Sequence, residues 1–427
     1  MTITYRSATL ENGLTIHAEC DGTAASAAMG IFVRTGARDE PRELMGVSHF
    51  LEHMMFKGSA TRDAHEVNQA FDRIGARNNA FTSHEMTAYH AHVLPEHLGE
   101  ATGLVLDLLR PALRQADFDS ERGVILEEIA MYDDNPGWVA SDRANETYYQ
   151  GHPLCHRVLG TPDTIKSLTR DAMKQYFDHR YSPASACVVA AGRLDFDALV
   201  EQVRRESKSW LGTRVAREFP QWQPTRHTLT VEEEKATRGY MVFLWPSCSM
   251  TDERRYAAIV CGQILGDTEG SRLYWALVES GIAVDASAGY HGRDGVGEIV
   301  GSVVCATEDL DKAEEIFRRE CHDLATSLTE DDLERARRKI ATQVAMAGES
   351  PAGRMQRLGM MMASIGTYTT LEEELSRVNA LRIGSLRTYL SDFPFDPLTC
   401  VRVVPARVPA RVPARVPAKD PAKDPVR

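Results

Sequence analysis

The chain has 427 residues, 43% hydrophobic and 26% charged, enough to build two medium domains with cores of their own. No apolar run approaches the roughly 20 residues of a membrane span, and the start "MTITYRSATLENGLTIHAE" lacks a basic segment followed by an apolar one, so neither a span nor a secretory leader is expected and the location reads as cytoplasmic. Net charge is −12, and because residues 405–427 hold six Lys/Arg against two Asp the body stands at −16, which argues against a nucleic-acid partner.

In chain order, "LTIHAEC" and "SAAMGIFVRTG" read as strands. A helix follows over "VSHFLEHMMFKG", residues 47–58, and another over residues 64–74. Strand patterns return in "NNAFTSHEMTAYHAHVL", and helical patterns cover residues 97–115, 119–132 and 163–179. Two prolines and mixed polar residues in "TRVAREFPQWQPTRHT" mark residues 213–228 as a linker between a half of residues 1–212 and a half of residues 229–404. The second half opens with "HTLTVEEE" and "RGYMVFLWPS", then a helix over "ERRYAAIVCGQILG" and further helices at 310–327 and 330–346. Its helix in the place of "VSHFLEHMM" contains no histidine, so the order of elements predicts a duplication with chemistry in one copy only. Residues 405–427 repeat a four-residue unit with proline in each, which offers no face to pack and predicts an extended tail without catalytic role. Eight cysteines lie scattered with no CxxC pair, so they read as small buried hydrophobes in a reducing compartment, and a cysteine-built zinc site is not expected.

His49, Glu52 and His53 crowd into five residues of the first motif. On a helix, positions i and i+4 lie one above the other with i+3 beside them, so both imidazoles can reach one ion and Glu52 can work on a water beside it. Two histidines suit zinc, but a stable site needs a third ligand. "FDSERGVILEEIAMYDD" offers three glutamates in one helix. Glu121, Val124, Ile125, Glu128, Met131 and Tyr132 share a stripe while Glu127 points away, and an apolar stripe holding two carboxylates requires partners for them. Glu121 and Glu128 are two turns, about 10 Å, apart, so one of them can be a ligand and the other only a support. His90 and His92 alternate on one strand and read as a polar strand face, as do His65, His84 and His97 as ordinary polar positions.

"HFLEH", then 74 residues to Glu128 within "ERGVILEEI", with "NAFTSHEMTAY" between them, resembles the pitrilysin and mitochondrial processing peptidase family of inverted zinc peptidases, over residue 1 to about 404. The resemblance implies an α+β fold of two related halves, each a mainly antiparallel sheet packed with helices. It implies one Zn2+ held by His49, His53 and Glu128, with Glu52 as general base and Glu121 as its supporting glutamate. Asn79, Ala80, Phe81 and Thr82 fall on the strand that binds the backbone of a peptide substrate. The implied activity is a zinc metalloendopeptidase acting on extended or unfolded peptides.

The second half departs from the family's pattern. Where the family carries a segment like "LRExxGLAY", this chain reads "LVESGIAV", one residue shorter, with Val278 in place of the arginine and Val284 in place of the tyrosine. Valine donates no hydrogen bond, so support for the oxyanion is missing from this half. Arg272 belongs to the ordinary "SRL", and substitution by it, Tyr274 or Tyr290 is not expected. The expectation is therefore a zinc-bearing subunit of a heterodimer, rather than a homodimer, whose zinc-less related partner supplies the Arg/Tyr pair. The alternative is a structural or binding subunit of the same family.

Overall fold

The computed structural model describes residues 3–267 and 269–406. The repeat tail read from the sequence falls, beyond residue 406, outside the described residues. The strands are β1 (Thr4–Thr9), β2 (Thr15–Cys20), β3 (Ala27–Val33), β4 (Arg77–Thr82), β5 (Thr87–Val93), β6 (Ala186–Gly192), β7 (His227–Glu233), β8 (Gly239–Ser247), β9 (Ala283–Gly292), β10 (Gly297–Cys305) and β11 (Thr399–Pro405). They form two sheets, β1-β2-β6-β3-β5-β4 and β7-β11-β8-β10-β9. β2 runs parallel to β6 and β7 to β11, and every other pairing is antiparallel. Both sheets carry helices, which is the expected α+β class.

β3 and β6 lack charged residues and are buried along their whole length, so they take the centre of the first sheet. Met29, Ile31 and Val33 pack with Phe50, Leu51 and Met54 of the motif helix Val47–Met55 and with Leu104 and Val105 of the helix Leu98–Leu108. The alternate residues Ala28 and Phe32 face the other way. Their cover is Met355 and Leu358 of the helix Pro351–Ser364, which comes from the second half of the chain. Its approach is close, because a Cβ on Gly359 would stand 2.2 Å from the Phe32 ring. In exchange, the helix Pro136–Tyr148 lays Ala140, Ala144 and Tyr148 on Val242 and Leu244 of β8 and on Val401 and Val403 of β11. Each half thus lends the other a layer for its sheet.

Several boundaries differ from the sequence reading. Residues 163–179 form two helices, Pro162–Ser167 and Arg170–Arg180, because Thr169 leaves the helical conformation and its hydroxyl accepts the Ala172 N–H as a cap. The helix expected over 97–115 ends at Leu108, ahead of Pro111, and Gln115 already opens the next one, Gln115–Asp133, four residues before the expected start. His227 and Thr228 belong to β7 and Pro405 to β11, which shortens the linker at one end and moves the tail back by one residue.

The connector is irregular between residues 213 and 226 but firmly held. Its Arg217 binds Asp39 at 2.8 and 3.0 Å, the Glu85 carbonyl at 2.6 Å and, across the halves, Asp294 at 3.1 Å. Trp222 packs among Tyr148, Tyr149 and His152. His152 is 2% exposed and its Nδ1 accepts the Leu154 N–H at 3.1 Å, which only the neutral ring can do. Burial, with Arg38 and His156 acting in the same direction, pushes it from 6.5 down to about 4. The unfolded chain takes up this proton near pH 6.5 and the folded chain only near 4. Stability from this group is therefore complete above the first value and lost as pH falls toward the second, by up to about 1.4 kcal/mol per pH unit. Urea midpoints are expected to fall between pH 7 and pH 4, and to fall less in His152→Asn, whose Oδ1 takes the place of Nδ1 and accepts the same N–H without titrating.

Candidate metal centre

The motif helix begins at Gly46, whose φ of 94° a side chain would resist. Glu40 caps it, its two carboxylate oxygens accepting the Gly46 and Ser48 N–H groups at 2.7 Å each. With Phe50, Leu51 and Met54 locked in the core, the helix cannot rotate, and His49 and His53 emerge together toward the helix Gln115–Asp133 with their rings 4.7 Å apart. Glu128 Oε2 lies 3.7 Å from His49 Nε2 and 3.7 Å from His53 Nε2. Among the described residues these three form the one group of His, Cys, Asp or Glu donors whose atoms converge, all within 4.8 Å of one another.

Glu121, its side chain 6% exposed, binds His53 Nδ1 at 2.9 Å through one oxygen and Lys57 Nζ at 2.5 Å through the other. Of the two inward glutamates, Glu128 is the one whose oxygen meets both Nε2 atoms, while Glu121 holds His53 by its other nitrogen. Glu127 is exposed, as the helix face requires. The stripe itself needs correction: Phe118, Glu121, Ile125 and Ile129 are the buried residues, while Val124 and Met131 are 45% and 63% exposed. Glu128 sits at the edge of the buried stripe, and those two residues lie beyond it toward solvent.

The donor set fits zinc. Two imidazoles and a carboxylate make a three-ligand site of the catalytic kind, with a fourth position left over. His53, its Nδ1 committed to Glu121, turns Nε2 to the shared point, the carboxylate–histidine arrangement common around metals. His49 presents its Nε2 while its buried Nδ1 has no hydrogen-bond partner. Burial, with His53 adding to it, pushes His49 down to about 4, so its ring is neutral and can donate a lone pair at neutral pH. Burial also pulls on His53, but Glu121, Glu128 and Glu52 outweigh it and raise that ring, the signature of a pocket that attracts positive charge. Glu121 is raised by burial and more than brought back down by His53 and Lys57.

Glu52 faces the end of β4. Thr82 donates its hydroxyl to Glu52 Oε2 at 2.6 Å. Burial raises the Glu52 carboxyl, and Glu128 adds to this against the Thr82 bond and His53. Among the described residues β4 is the edge of the first sheet, paired with β5 alone. Asn79 turns its own Oδ1 onto the Ala80 N–H at 2.9 Å, and Phe81 meets Phe32 edge-on on the opposite sheet face. Of the four strand residues, Thr82 is the one whose side chain hydrogen-bonds Glu52. His92 is bound to Ser26, and neither it nor His90, His65, His84 or His97 joins the donor cluster.

In the second half Val278 lies half-buried in a short turn, Tyr274–Val278, and Val284 stands 54% exposed on the edge strand β9. The nearby polar groups are committed: Arg272 to Asp332 and the Ser327 carbonyl, Tyr290 to the Cys248 carbonyl, and Tyr274 to Glu279. Sequence reasoning missed two contacts, Lys57 with Glu121 and Thr82 with Glu52. The first had a signal, since Lys57 follows His53 by four residues and so continues the ligand stripe.

A family model described as Insulinase (Peptidase family M16) matches residues 15–162, and one described as Peptidase M16 inactive domain matches residues 167–340. An uncharacterized zinc protease of Bacillus subtilis is 30% identical over 394 residues, covering 90% of this chain and 94% of the relative. One of Streptomyces coelicolor is 32% identical over 403 residues, covering 91% and 87%. Among solved structures, a protease from Helicobacter pylori superposes with a TM-score of 0.88 at 20% identity, over 94% of this chain and all of that one. The peptidase M16 inactive domain from Pseudomonas fluorescens does so with a TM-score of 0.88 at 17% identity, over 95% and 100%.

Proposed function

Because the chain belongs to the insulinase family of M16 peptidases, we propose that it is a zinc metalloendopeptidase subunit that cleaves extended or unfolded peptides. The observation that carries this reading is the convergence of His49, His53 and Glu128 beside Glu52, with Glu52 tied through Thr82 to an open sheet edge. A zinc ion held by the three ligands would supply Lewis acidity toward a peptide carbonyl and toward water. Glu52 belongs to the same helix but points to the strand, placed to take a proton from water and return it to the leaving amine. A substrate would add to β4 as a further strand, reading backbone at Asn79, Ala80, Phe81 and Thr82 and so accepting varied sequences. For that, Asn79 has to release the Ala80 N–H it now covers.

Val278, Val284 and the committed neighbours leave this chain without the arginine and tyrosine that the family's second half provides. This supports a heterodimer with a related zinc-less chain that supplies them. A second reading, a structural or binding subunit with a residual metal site, draws on the same two valines. A cytoplasmic location belongs to the proposal and is supported by eight unpaired cysteines. Among the described residues no helix is long and apolar enough to cross a membrane.

Metal analysis tests the ligand set. The purified chain is expected to hold about one zinc, and His49→Ala, His53→Ala and Glu128→Ala to lose it, because a site reduced to two protein ligands no longer holds the ion firmly. Glu127→Ala is expected to keep it. Loss of zinc from Glu127→Ala with retention in Glu128→Ala would overturn the assignment.

A further inference from the structure

Lys57 lies two residues past the end of the motif helix, where its N–H still closes the last turn on the Met54 carbonyl at 3.1 Å. Its own carbonyl is held by Arg114 at 3.2 Å, so the backbone from which the side chain springs is fixed. The ammonium then reaches back along the helix to Glu121 Oε2 at 2.5 Å. Glu121 has two oxygens and both are used, one by Lys57 and one by His53 Nδ1 at 2.9 Å. A carboxylate on a free side chain can turn about its last torsions, whereas one gripped at both oxygens cannot. The ring it holds is thereby fixed in the tautomer that carries hydrogen on Nδ1 and leaves Nε2 facing His49 and Glu128.

We propose that Lys57 is a positioning residue of the metal centre: by clamping the second oxygen of Glu121 it orients His53 for the ion. Among the described residues its ammonium has one ionic partner, Glu121, and it acts through that carboxylate. The charges facing it make the direction of the effect diagnostic. Lys57 is a cation one carboxylate away from a site that would hold a cation, so on Coulomb grounds alone its removal would tighten zinc binding. As a clamp, its removal loosens binding instead.

The inference rests on the zinc reading above, and competition with a chelator separates the two. If the unaltered full-length chain fails to bind zinc, that reading falls; if it binds zinc, the comparison of variants decides on Lys57. Lys57→Met is expected to weaken zinc affinity by about 10-fold, the lower end of the range for outer-shell partners of ligating histidines, because it acts through one such partner, Glu121. Lys57→Arg, which can still grip the carboxylate, is expected to stay within a few-fold of the unaltered chain. In a Glu121→Ala background Lys57→Met should weaken affinity no further, because its route to the ion is already gone and only the charge term, which acts toward tighter binding, remains. Unchanged or tighter zinc binding in Lys57→Met would overturn the proposal. An equal loss in Lys57→Arg, or a full additional loss in the Glu121→Ala background, would overturn it as well.

Discussion

Glu52→Gln is expected to abolish measurable peptide hydrolysis while zinc content stays near one per chain. The substitution keeps the shape of the side chain and a group that can meet the Thr82 hydroxyl, which now donates to Glu52 Oε2 at 2.6 Å. It removes the one property that the proposed role needs, the ability to take up a proton and give it back. General base catalysis contributes typically about 10²- to 10⁴-fold, so the loss should be at least of that size when an acid role is removed together with the base role. Zinc should remain because the donor atoms that converge are those of His49, His53 and Glu128, and Glu52 is not among them. Activity is measured on an unstructured peptide with mass-spectrometric detection, and zinc on the same sample. Retention of substantial hydrolysis would show that another group takes the proton. Loss of zinc together with activity would show that Glu52 holds the ion.

The second large effect concerns the missing donors. Val278 and Val284 cannot support an oxyanion, and Arg272, Tyr274 and Tyr290 are engaged elsewhere. Removing one oxyanion donor costs typically about 10²- to 10³-fold in rate. Purified alone, the chain is therefore expected to cleave unfolded peptides slowly or not at all. Addition of a related zinc-less chain carrying the arginine and tyrosine should raise the rate by a factor of that order. Replacing the partner's tyrosine by phenylalanine should remove most of the gain, since only the hydroxyl is lost. Full activity from this chain alone, unaltered by any partner, would show that the pair is dispensable or replaced from within. Zinc binding without cleavage in the presence of such a partner would favour the structural reading.

Neighbouring residues made the motif legible. Histidines four apart with a glutamate between them share a helix face whatever the rest of the chain does, and the structure keeps them there. The same periodicity turned Glu127 away and left Glu121 and Glu128 as competing ligands. It misjudged Val124 and Met131, because the width of a buried stripe depends on the neighbour that covers it and not on the helix alone. Strands at sheet centres were visible as apolar runs, whereas the exchange of the helices Pro136–Tyr148 and Pro351–Ser364 between halves was not. Both are amphipathic, and nothing in such a pattern says which sheet will receive it.

The order of residues carries the local chemistry: which side chains share a face, which residue types can hold zinc, and which two positions of the second half lack donors. These follow from backbone periodicity and functional groups, which act over a few residues. How the pieces meet was left to long-range packing. It set Glu128 rather than Glu121 against both Nε2 atoms, tied Thr82 to Glu52, placed Lys57 on Glu121 and ran Arg217 between Asp39 and Asp294. Each of these contacts joins side chains from elements whose relative placement is fixed by core packing across long stretches of chain. A shift of one helix by a fraction of a turn would exchange their partners without changing any residue.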